Sequence, residues 1–230
     1  MEQTNSKAEA LLEQGMEYIE NDAVDRGLPY LKQAAELGHL EAQAMYLSTL
    51  LEQSNGKDYT KEIKKCVEWI RTAAIDGNPE GQAILGEMYS EGAGVPENQE
   101  TAVKWYRKAA LQGNADAQYY LGECYCFGKG VAENDAEAVK WFQKAAVQGD
   151  TYAQYYLGEY YYLGKGVAQN DAEAVKWFQK AANQEHAGAQ YYLGECYYLG
   201  RGVSENYAKA VKWFQIAAEQ GNADAQTQLG

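Results

Sequence analysis

The amino-acid sequence predicts an all-α fold, a stacked array of about six helix-turn-helix repeats, and three observations carry this prediction. Residues 114–149 return almost letter for letter at 150–185 and 186–221, with a looser copy at 78–113. Repetition at a fixed period of about 36 residues is typical of stacked repeat arrays. Apolar residues within each copy recur at helical spacing. The chain also has 23 glycines but only 3 prolines, which favours helices joined by glycine turns.

The first two segments depart from the regular pattern. Residues 1–38 are predicted to form a degenerate N-terminal helical hairpin that caps the array, because end repeats meet solvent on one side. Residues 39–77 form a divergent repeat whose ending, EWIRTAAIDG, matches KWFQKAAVQG in the later copies. Its loop is longer and carries Ser-Asn-Gly at 54–56, a departure that surface loops tolerate.

Four regular repeats follow, and then the start of a further first helix; the ranges are 78–113, 114–149, 150–185, 186–221 and 222–230. In the second regular repeat, a first helix at 116–127 meets a Gly-Lys-Gly-Val turn before a second helix near 135–148. The turn glycines suit the left-handed conformation that ends many helices. Asn134 with Glu137 three residues later resembles a capping box.

The apolar pattern inside one repeat predicts how its two helices pack. Ala117, Leu121 and Tyr125 fall on one face of the first helix. Gly122 lacks a side chain and permits a neighbouring helix to approach closely. The tryptophans of the second helices are predicted to lie between repeats as core residues; they are Trp69, Trp105, Trp141, Trp177 and Trp213.

Charge and composition exclude several classes of partner. The formal net charge of -13 repels phosphate backbones and anionic membranes, so we expect no nucleic-acid partner. No run approaches the roughly 18 apolar residues of a membrane span. The first residues show no secretory signal, so the expected location is cytoplasmic, or periplasmic or secreted if a signal has been removed. The cysteines are expected to be reduced structural thiols, because their spacing fits no redox or zinc motif.

The later copies share the pattern A-x-A-Q-x-x-L-G-x-x-Y-x-x-G-x-G-V, followed by A-V-K-W-F-x-x-A-A-x-Q-G. This pattern resembles the Sel-1-like repeat, a relative of the tetratricopeptide repeat, strongly over residues 78–221 and more weakly over residues 7–77. The resemblance implies an α/α superhelical solenoid and a role as a scaffold or adaptor for protein complexes, often in bacteria. One branch of the family carries a disulfide in each repeat, and this chain lacks that regular cysteine pairing.

The resemblance also implies that the first helices line a concave face. Stacking aligns equivalent positions of these helices into columns, one of glutamates and two rich in tyrosine. We therefore predict an acidic, tyrosine-rich concave groove for a protein or peptide with Lys or Arg, held by charge-assisted hydrogen bonds and cation–π contacts. The predicted partner-binding residues are Glu87, Asp116, Tyr119, Glu123, Phe127, Tyr152, Tyr155, Glu159, Tyr162, Tyr191, Glu195 and Tyr198.

Two alternatives stay open at this stage. The glutamates could be solvated or paired within the array, with the tyrosines only filling the junctions between neighbouring helices. A different role is that of a structural or self-associating component of a larger complex, which uses the end repeats or the convex face. Self-association is plausible because the partial repeat at the C-terminus could expose an apolar end.

The sequence contains no catalytic constellation, so we expect no enzyme activity, no cofactor and no metal. His39 and His186 stand at repeat starts where other copies have Asn or Asp, and they are interpreted as helix-start residues. The Gly-Lys-Gly turns lack the G-x-x-x-x-G-K-[ST] pattern of a phosphate-binding loop. No G-x-S-x-G and no H-E-x-x-H occurs.

Overall fold

The fold consists of helical hairpins in both halves of the chain. The computed structural model describes the backbone of residues 2–53 and 58–229, so the predicted Ser-Asn-Gly loop at 54–56 lies outside the described residues. Two compact units divide the chain, Met1–Asn114 and Ala115–Gly230. Throughout the described residues the regular structure is helical, without strands, which confirms the predicted all-α class.

The first unit contains three hairpins. Their helices are α1 (Glu2–Glu20), α2 (Val24–Glu36), α3 (Leu40–Glu52), α4 (Thr60–Ile75), α5 (Pro79–Glu91) and α6 (Gln99–Leu111). Each helix packs mainly on its neighbours in the chain, and α3 also touches α5. The core of this unit runs through all three hairpins, and Leu31, Leu50 and Ile70 are completely buried in it.

The second unit contains three regular hairpins and a short final helix. Its helices are α7 (Ala115–Phe127), α8 (Asp135–Val147), α9 (Thr151–Leu163), α10 (Asp171–Asn183), α11 (Ala187–Leu199), α12 (Tyr207–Glu219) and α13 (Ala223–Leu229). The first helices α9 and α11 touch each other directly, in addition to packing on their chain neighbours. A junction between two consecutive repeats of this unit is called a seam below.

In the four regular repeats, the hairpin closes where a glycine of the first helix meets an aromatic ring of the second. A Cβ atom added at Gly122 would lie 2.6 Å from Cδ1 of Phe142, and one at Gly158 would lie 2.6 Å from Cδ1 of Phe178. Both phenylalanines are completely buried. The predicted close approach at Gly122 is therefore confirmed, and a methyl group there could be fitted only by moving the ring.

The second helices of the regular repeats begin with the predicted asparagine N-caps. The second hydrogen bond of the capping box, from the backbone N–H of the cap to the glutamate side chain, is not formed. Asn134 Oδ1 accepts a hydrogen bond from the backbone N–H of Glu137 at 3.1 Å, as an N-cap should. The predicted return bond is wrong, because the N–H of Asn134 already donates to the carbonyl of Tyr125 at 2.8 Å. The Glu137 carboxylate instead pairs with Lys140 at 2.6 Å.

The Gly-x-Gly turn of one repeat docks on the start of the preceding second helix. Gly202 has a φ of +72°, and a Cβ atom there would lie 2.5 Å from the carbonyl carbon of Asp171 and 2.9 Å from the amide nitrogen of Ala172. Arg201 Nη2 donates to Asp171 Oδ1 at 2.6 Å and to the carbonyl of Tyr162 at 2.9 Å. The left-handed conformation predicted for the turn glycines is confirmed.

Buried glutamines join successive helices at the starts of the first helices. Gln154 Nε2 donates to the carbonyl of Ala146 at 3.1 Å, and its Oε1 accepts from Gln184 Nε2 at 2.9 Å. The same pair recurs in other repeats, as Gln112 with Gln82 and Gln220 with Gln190. Burial of a polar amide costs little when both of its ends are hydrogen-bonded.

Gln43 breaks this pattern. Its Nε2 donates to the carbonyl of Ala35 at 3.1 Å, yet its buried Oε1 has no hydrogen-bond partner within the part of the chain that the structure describes. The reason is Asp76, which is the C-cap of α4 as Gln112 is the C-cap of α6. A carboxylate carries no N–H and cannot donate to the glutamine oxygen.

Asp76→Gln is expected to raise the free energy of unfolding by about 1 kcal/mol, because it supplies the missing donor to a buried acceptor. Urea unfolding followed by circular dichroism measures the change. Asp76→Met is the matched control, since methionine has a similar length, no charge and no amide. An equal gain in both variants would mean that loss of the Asp76 charge, and not the new hydrogen bond, is responsible.

Candidate functional site

The predicted partner-binding residues, except Glu87, lie on the first helices of the second unit. Among them Tyr119 of α7 is half-buried and meets rings of α9, with centroids 5.9 Å from Tyr152 and 6.3 Å from Tyr156. Tyr119 also lies 6.1 Å from the buried Phe142. Burial raises the pKa of Tyr119, so its hydroxyl stays a hydrogen-bond donor at neutral pH. Tyr119 thus belongs in large part to the seam.

Tyr155 occupies the equivalent place in the next seam. Its ring stacks on His186 with centroids 4.5 Å apart and lies 6.1 Å from Tyr192. His186 Nδ1 accepts the N–H of Ala189 at 3.2 Å, which confirms it as a helix-start residue. Burial lowers the pKa of His186, so the imidazole is neutral at pH 7. These aromatic contacts hold the first helices of consecutive repeats together.

The glutamates of the predicted groove are half-buried, and tyrosine hydroxyls of adjacent repeats donate to two of them. Tyr192 Oη donates to Glu159 Oε1 at 3.4 Å, and Tyr162 Oη donates to Glu195 Oε2 at 3.2 Å. Burial raises the pKa of Glu159, and the Tyr192 hydroxyl opposes that effect. A carboxylate has several acceptor positions, so a single phenol hydrogen bond leaves further acceptor capacity at both sites.

The other predicted residues of this unit differ in exposure. Tyr152 is 58%, Phe127 51% and Tyr198 48% exposed, and these rings form the accessible aromatic part of the surface. Tyr198 packs edge-on against Tyr207 with centroids 5.5 Å apart. Tyr191 and Glu123 are half-buried, and Asp116 is exposed. Tyr162 is buried, so its contribution to a ligand is indirect.

Glu87 of the first unit lines a pocket between α3 and α5. The pocket has a volume of about 240 Å³, and its floor is apolar, formed by Met45, Ile84 and Met88. Carboxylates surround the floor at Glu41, Glu87 and Glu91. Such a pocket suits a lysine or arginine side chain, whose aliphatic stem covers apolar surface while the charged head meets carboxylates.

Sequence reasoning missed part of this surface. Glu91 stands where the later repeats carry Phe127, Leu163 and Leu199, and the position of Glu41 changes from acidic residues to Tyr152 and Gly188 along the array. No column of identical side chains therefore marked either residue. Tyr156 and Tyr192 stack on Phe142 and Phe178 at 4.9 and 5.0 Å. Spacing within one repeat gave no signal for them, because Tyr192 stands near Glu195 in sequence but donates to Glu159 of the preceding repeat.

The second helices present lysines over tryptophan rings. Lys144 Nζ lies 4.0 Å from the centroid of Trp141, and Lys180 Nζ lies 3.9 Å from that of Trp177. Trp177 also packs on the core cluster that contains Phe142 of the preceding hairpin. The prediction that the tryptophans lie between repeats is confirmed for Trp177. Lys144 and Lys180 are held against rings, and Lys140 and Lys176 pair with Glu137 and Glu173. This arrangement differs from a nucleic-acid stripe of free cations.

The cysteines are free and buried, as expected. Burial raises the pKa of Cys66 and of Cys196 to about 12, and that of Cys124 to about 11. Such thiols are protonated at neutral pH and are poor nucleophiles. Across residues 2–53 and 58–229, no group of three or more His, Cys, Asp or Glu could hold a metal ion. None of the described helices is long and apolar enough to span a membrane.

The comparisons with known proteins match this architecture. The Sel1 repeat family model matches residues 10–39, 42–78, 79–114, 115–150, 151–186 and 187–222. A Sel1 repeat protein from Oxalobacter formigenes is 31% identical, with 95% of this chain and 88% of that chain covered and a TM-score of 0.76. Comparison with the curated proteins gives no match.

Two further solved structures are similar. A protective antigen present in uropathogenic Escherichia coli strains, described as displaying an SLR fold, is 34% identical over 99% of this chain, with a TM-score of 0.76. The match covers 50% of that protein, so this chain spans half its length. An immunity protein from Pseudomonas aeruginosa is 21% identical, with 94% and 82% of the two chains covered and a TM-score of 0.65. At that identity the likeness concerns the fold alone.

Proposed function

Since the chain belongs to the Sel1 repeat family, whose repeats generally mediate protein–protein interactions, we propose that it is a non-enzymatic scaffold or adaptor that binds a protein or peptide with basic residues. The proposed contact surface is the exposed side of the first helices within each unit. The family fold is generally non-enzymatic, and the thiols are too basic to serve as nucleophiles at neutral pH. A cytoplasmic location remains a prediction.

The observation that carries this proposal is the set of half-buried carboxylates beside phenol rings in the second unit. Glu159 and Glu195 are partly removed from water, and each accepts one phenol hydrogen bond that leaves further acceptor positions. A lysine or arginine of a partner would form a charge-assisted hydrogen bond there, which is stronger than one made in open water. Tyr152 and Tyr198 offer exposed rings for cation–π contacts.

The acid-rimmed pocket of the first unit supports the same chemistry independently. Glu41, Glu87 and Glu91 surround an apolar floor, so the stem and the charged head of a long basic side chain would both find complementary surroundings. The net charge of -13 would also accelerate the encounter with a basic partner.

Replacing Glu123, Glu159 and Glu195 by glutamine is expected to weaken binding of a basic peptide by about tenfold at low salt, because three acceptors lose their charge. The probe is a fluorescein-labelled peptide in which lysine and tyrosine alternate. Fluorescence anisotropy at two salt concentrations measures both affinity and salt dependence. Glutamine keeps the shape of each side chain, so packing changes little.

The matched control replaces Glu133, Glu185 and Glu219, which are exposed glutamates of the same unit. This control removes the same charge from elsewhere on the surface. Equal weakening in both triple variants would show that only the general field of the protein attracts the peptide. Unchanged affinity and salt dependence in the first variant would reject the first-helix surface of this unit as the site.

Self-association through the last hairpin is the second candidate. On α12 the apolar residues Tyr207, Val211 and Ile216 are 59%, 44% and 39% exposed. The position of Tyr207 is held by Gln99, Asp135 and Asp171 in the preceding repeats, and that of Ile216 by lysines. The two changes add exposed apolar surface to α12, Tyr207 beside Val211 and Ile216 on the other side of the helix. Light scattering of the same samples without peptide distinguishes the two functions, because only self-association makes the molar mass increase with protein concentration.

A further inference from the structure

The seam between repeats 114–149 and 150–185 contains a pocket of about 200 Å³. Phe127, Tyr156 and Leu163 supply apolar surface, Glu159 and Lys165 supply charges, and Cys126 lies at the wall. The size is that of a single side chain rather than of a metabolite, since pockets for drug-sized ligands start at roughly 300 Å³.

The next seam of the same unit shows which group fits such surroundings. Tyr162 stands there at the position equivalent to Cys126, and its hydroxyl donates to Glu195 at 3.2 Å. Its ring lies 5.6 Å from Tyr192 and under the guanidinium of Arg201, with 3.5 Å between the guanidinium carbon and the ring centroid. The chain's own phenol therefore occupies a place formed by a glutamate, a cation and aromatic rings.

In the seam between repeats 114–149 and 150–185 this phenol is absent, because Cys126 stands at its position and the thiol interacts with Tyr160. Tyr160 is the large residue here, where the next seam has Cys196. Its hydroxyl donates to Asp135 at 3.2 Å and also interacts with the Cys126 thiol. Within residues 2–53 and 58–229, the side-chain hydrogen bond to Glu159 is the long one from Tyr192, at 3.4 Å to Oε1. Space and hydrogen-bond acceptor capacity therefore remain at Glu159. The side chains around it differ from those at the equivalent positions of the next seam.

We propose that this pocket binds a tyrosine side chain of a protein partner, with its hydroxyl donating to Glu159 and its ring between Phe127 and Leu163. Lys165 lines the same pocket, pairs with Asp135 at 3.0 Å and lies 5.5 Å from the ring centroid of Tyr160. Burial raises the pKa of Glu159, so an additional donor stabilises its charged form. This assignment rests on the proposed binding function and identifies one side chain by which the partner is anchored. Tyrosine suits this role, because it is enriched at interface hot spots.

The test uses p-cresol, which is the side chain of tyrosine alone, titrated into the ¹⁵N-labelled full chain and followed by NMR shifts. The expected shifts concentrate at residues around Cys126 and Glu159 and saturate. Toluene has the same shape without the hydroxyl and is expected to bind at least about tenfold more weakly, since it lacks the bond to a charged acceptor. Equal affinity of toluene and p-cresol, or shifts confined to other regions, would overturn the proposal.

Two variants sharpen the result. Glu159→Gln is expected to weaken p-cresol binding about fivefold or more, through loss of the charged acceptor. Cys126→Tyr combined with Tyr160→Cys reproduces the side-chain pair of the next seam and is expected to abolish the shifts. If that double variant does not fold, the toluene and Glu159→Gln measurements decide. Undiminished p-cresol binding to the folded double variant contradicts the assignment.

The probe is neutral and has no backbone. Binding of p-cresol therefore does not depend on whether a basic peptide binds the first-helix surface. The two proposals can fail separately.

Discussion

Gly202→Ala is expected to lower the free energy of unfolding of the second unit by about 3 kcal/mol or more, because two costs add there. An L-residue at a φ of +72° is strained. The new methyl group would also overlap the backbone of Asp171 and Ala172, which cannot move aside without disturbing the start of α10. The turn would then leave its docking place, and the Arg201–Asp171 ion pair would be weakened with it.

Gly149→Ala separates these two costs. Gly149 has a φ of +106°, and a Cβ atom there would meet nothing within 4 Å, so only the conformational strain of about 1–2 kcal/mol applies. Urea unfolding followed by circular dichroism compares the variants, and hydrogen exchange of α9 to α11 localises the effect, because repeat arrays need not unfold in one step. Equal losses in both variants would show that docking of the turn contributes no stability.

Phe178→Ala is expected to cost about 3–5 kcal/mol, the usual range for removal of a buried aromatic ring. Phe178 is completely buried and stacks on Tyr192 with centroids 5.0 Å apart. Its ring also lies 6.1 Å from Tyr162 and 6.4 Å from Tyr155. The cavity would therefore release the tyrosines whose hydroxyls donate to Glu159 and Glu195, and peptide binding should weaken as well.

Phe127→Ala is the matched control for this prediction. The same atoms are removed, but Phe127 is 51% exposed, so the expected change in stability stays within about 0.5 kcal/mol. Thermal unfolding of both variants gives the comparison. Comparable loss of stability in the two variants would mean that the hairpin core does not depend on the contact between Gly158 and Phe178.

The candidate site could be predicted only in part from the sequence. The helical period correctly placed Tyr119, Glu123 and Phe127 on one helix, because side chains three and four positions apart share a face. It could not tell which rings turn into the seam, and Tyr155 proved to stack on His186. The capping box at Asn134 failed for a similar reason, since the competing carbonyl of Tyr125 comes from the preceding helix.

The sequence by itself determined the family and the all-α repeat fold, because near-identical copies with helical periodicity and turn glycines admit one local structure. The resemblance to the Sel1 repeat is confirmed. Only the tertiary structure shows the consequences of the sequence differences between the repeats. Asp76 leaves Gln43 without a hydrogen-bond donor, and Cys126 leaves space at the position where Tyr162 fills the next seam. Such consequences depend on side chains from two repeats meeting at one point, and the spacing within a single repeat does not contain that information.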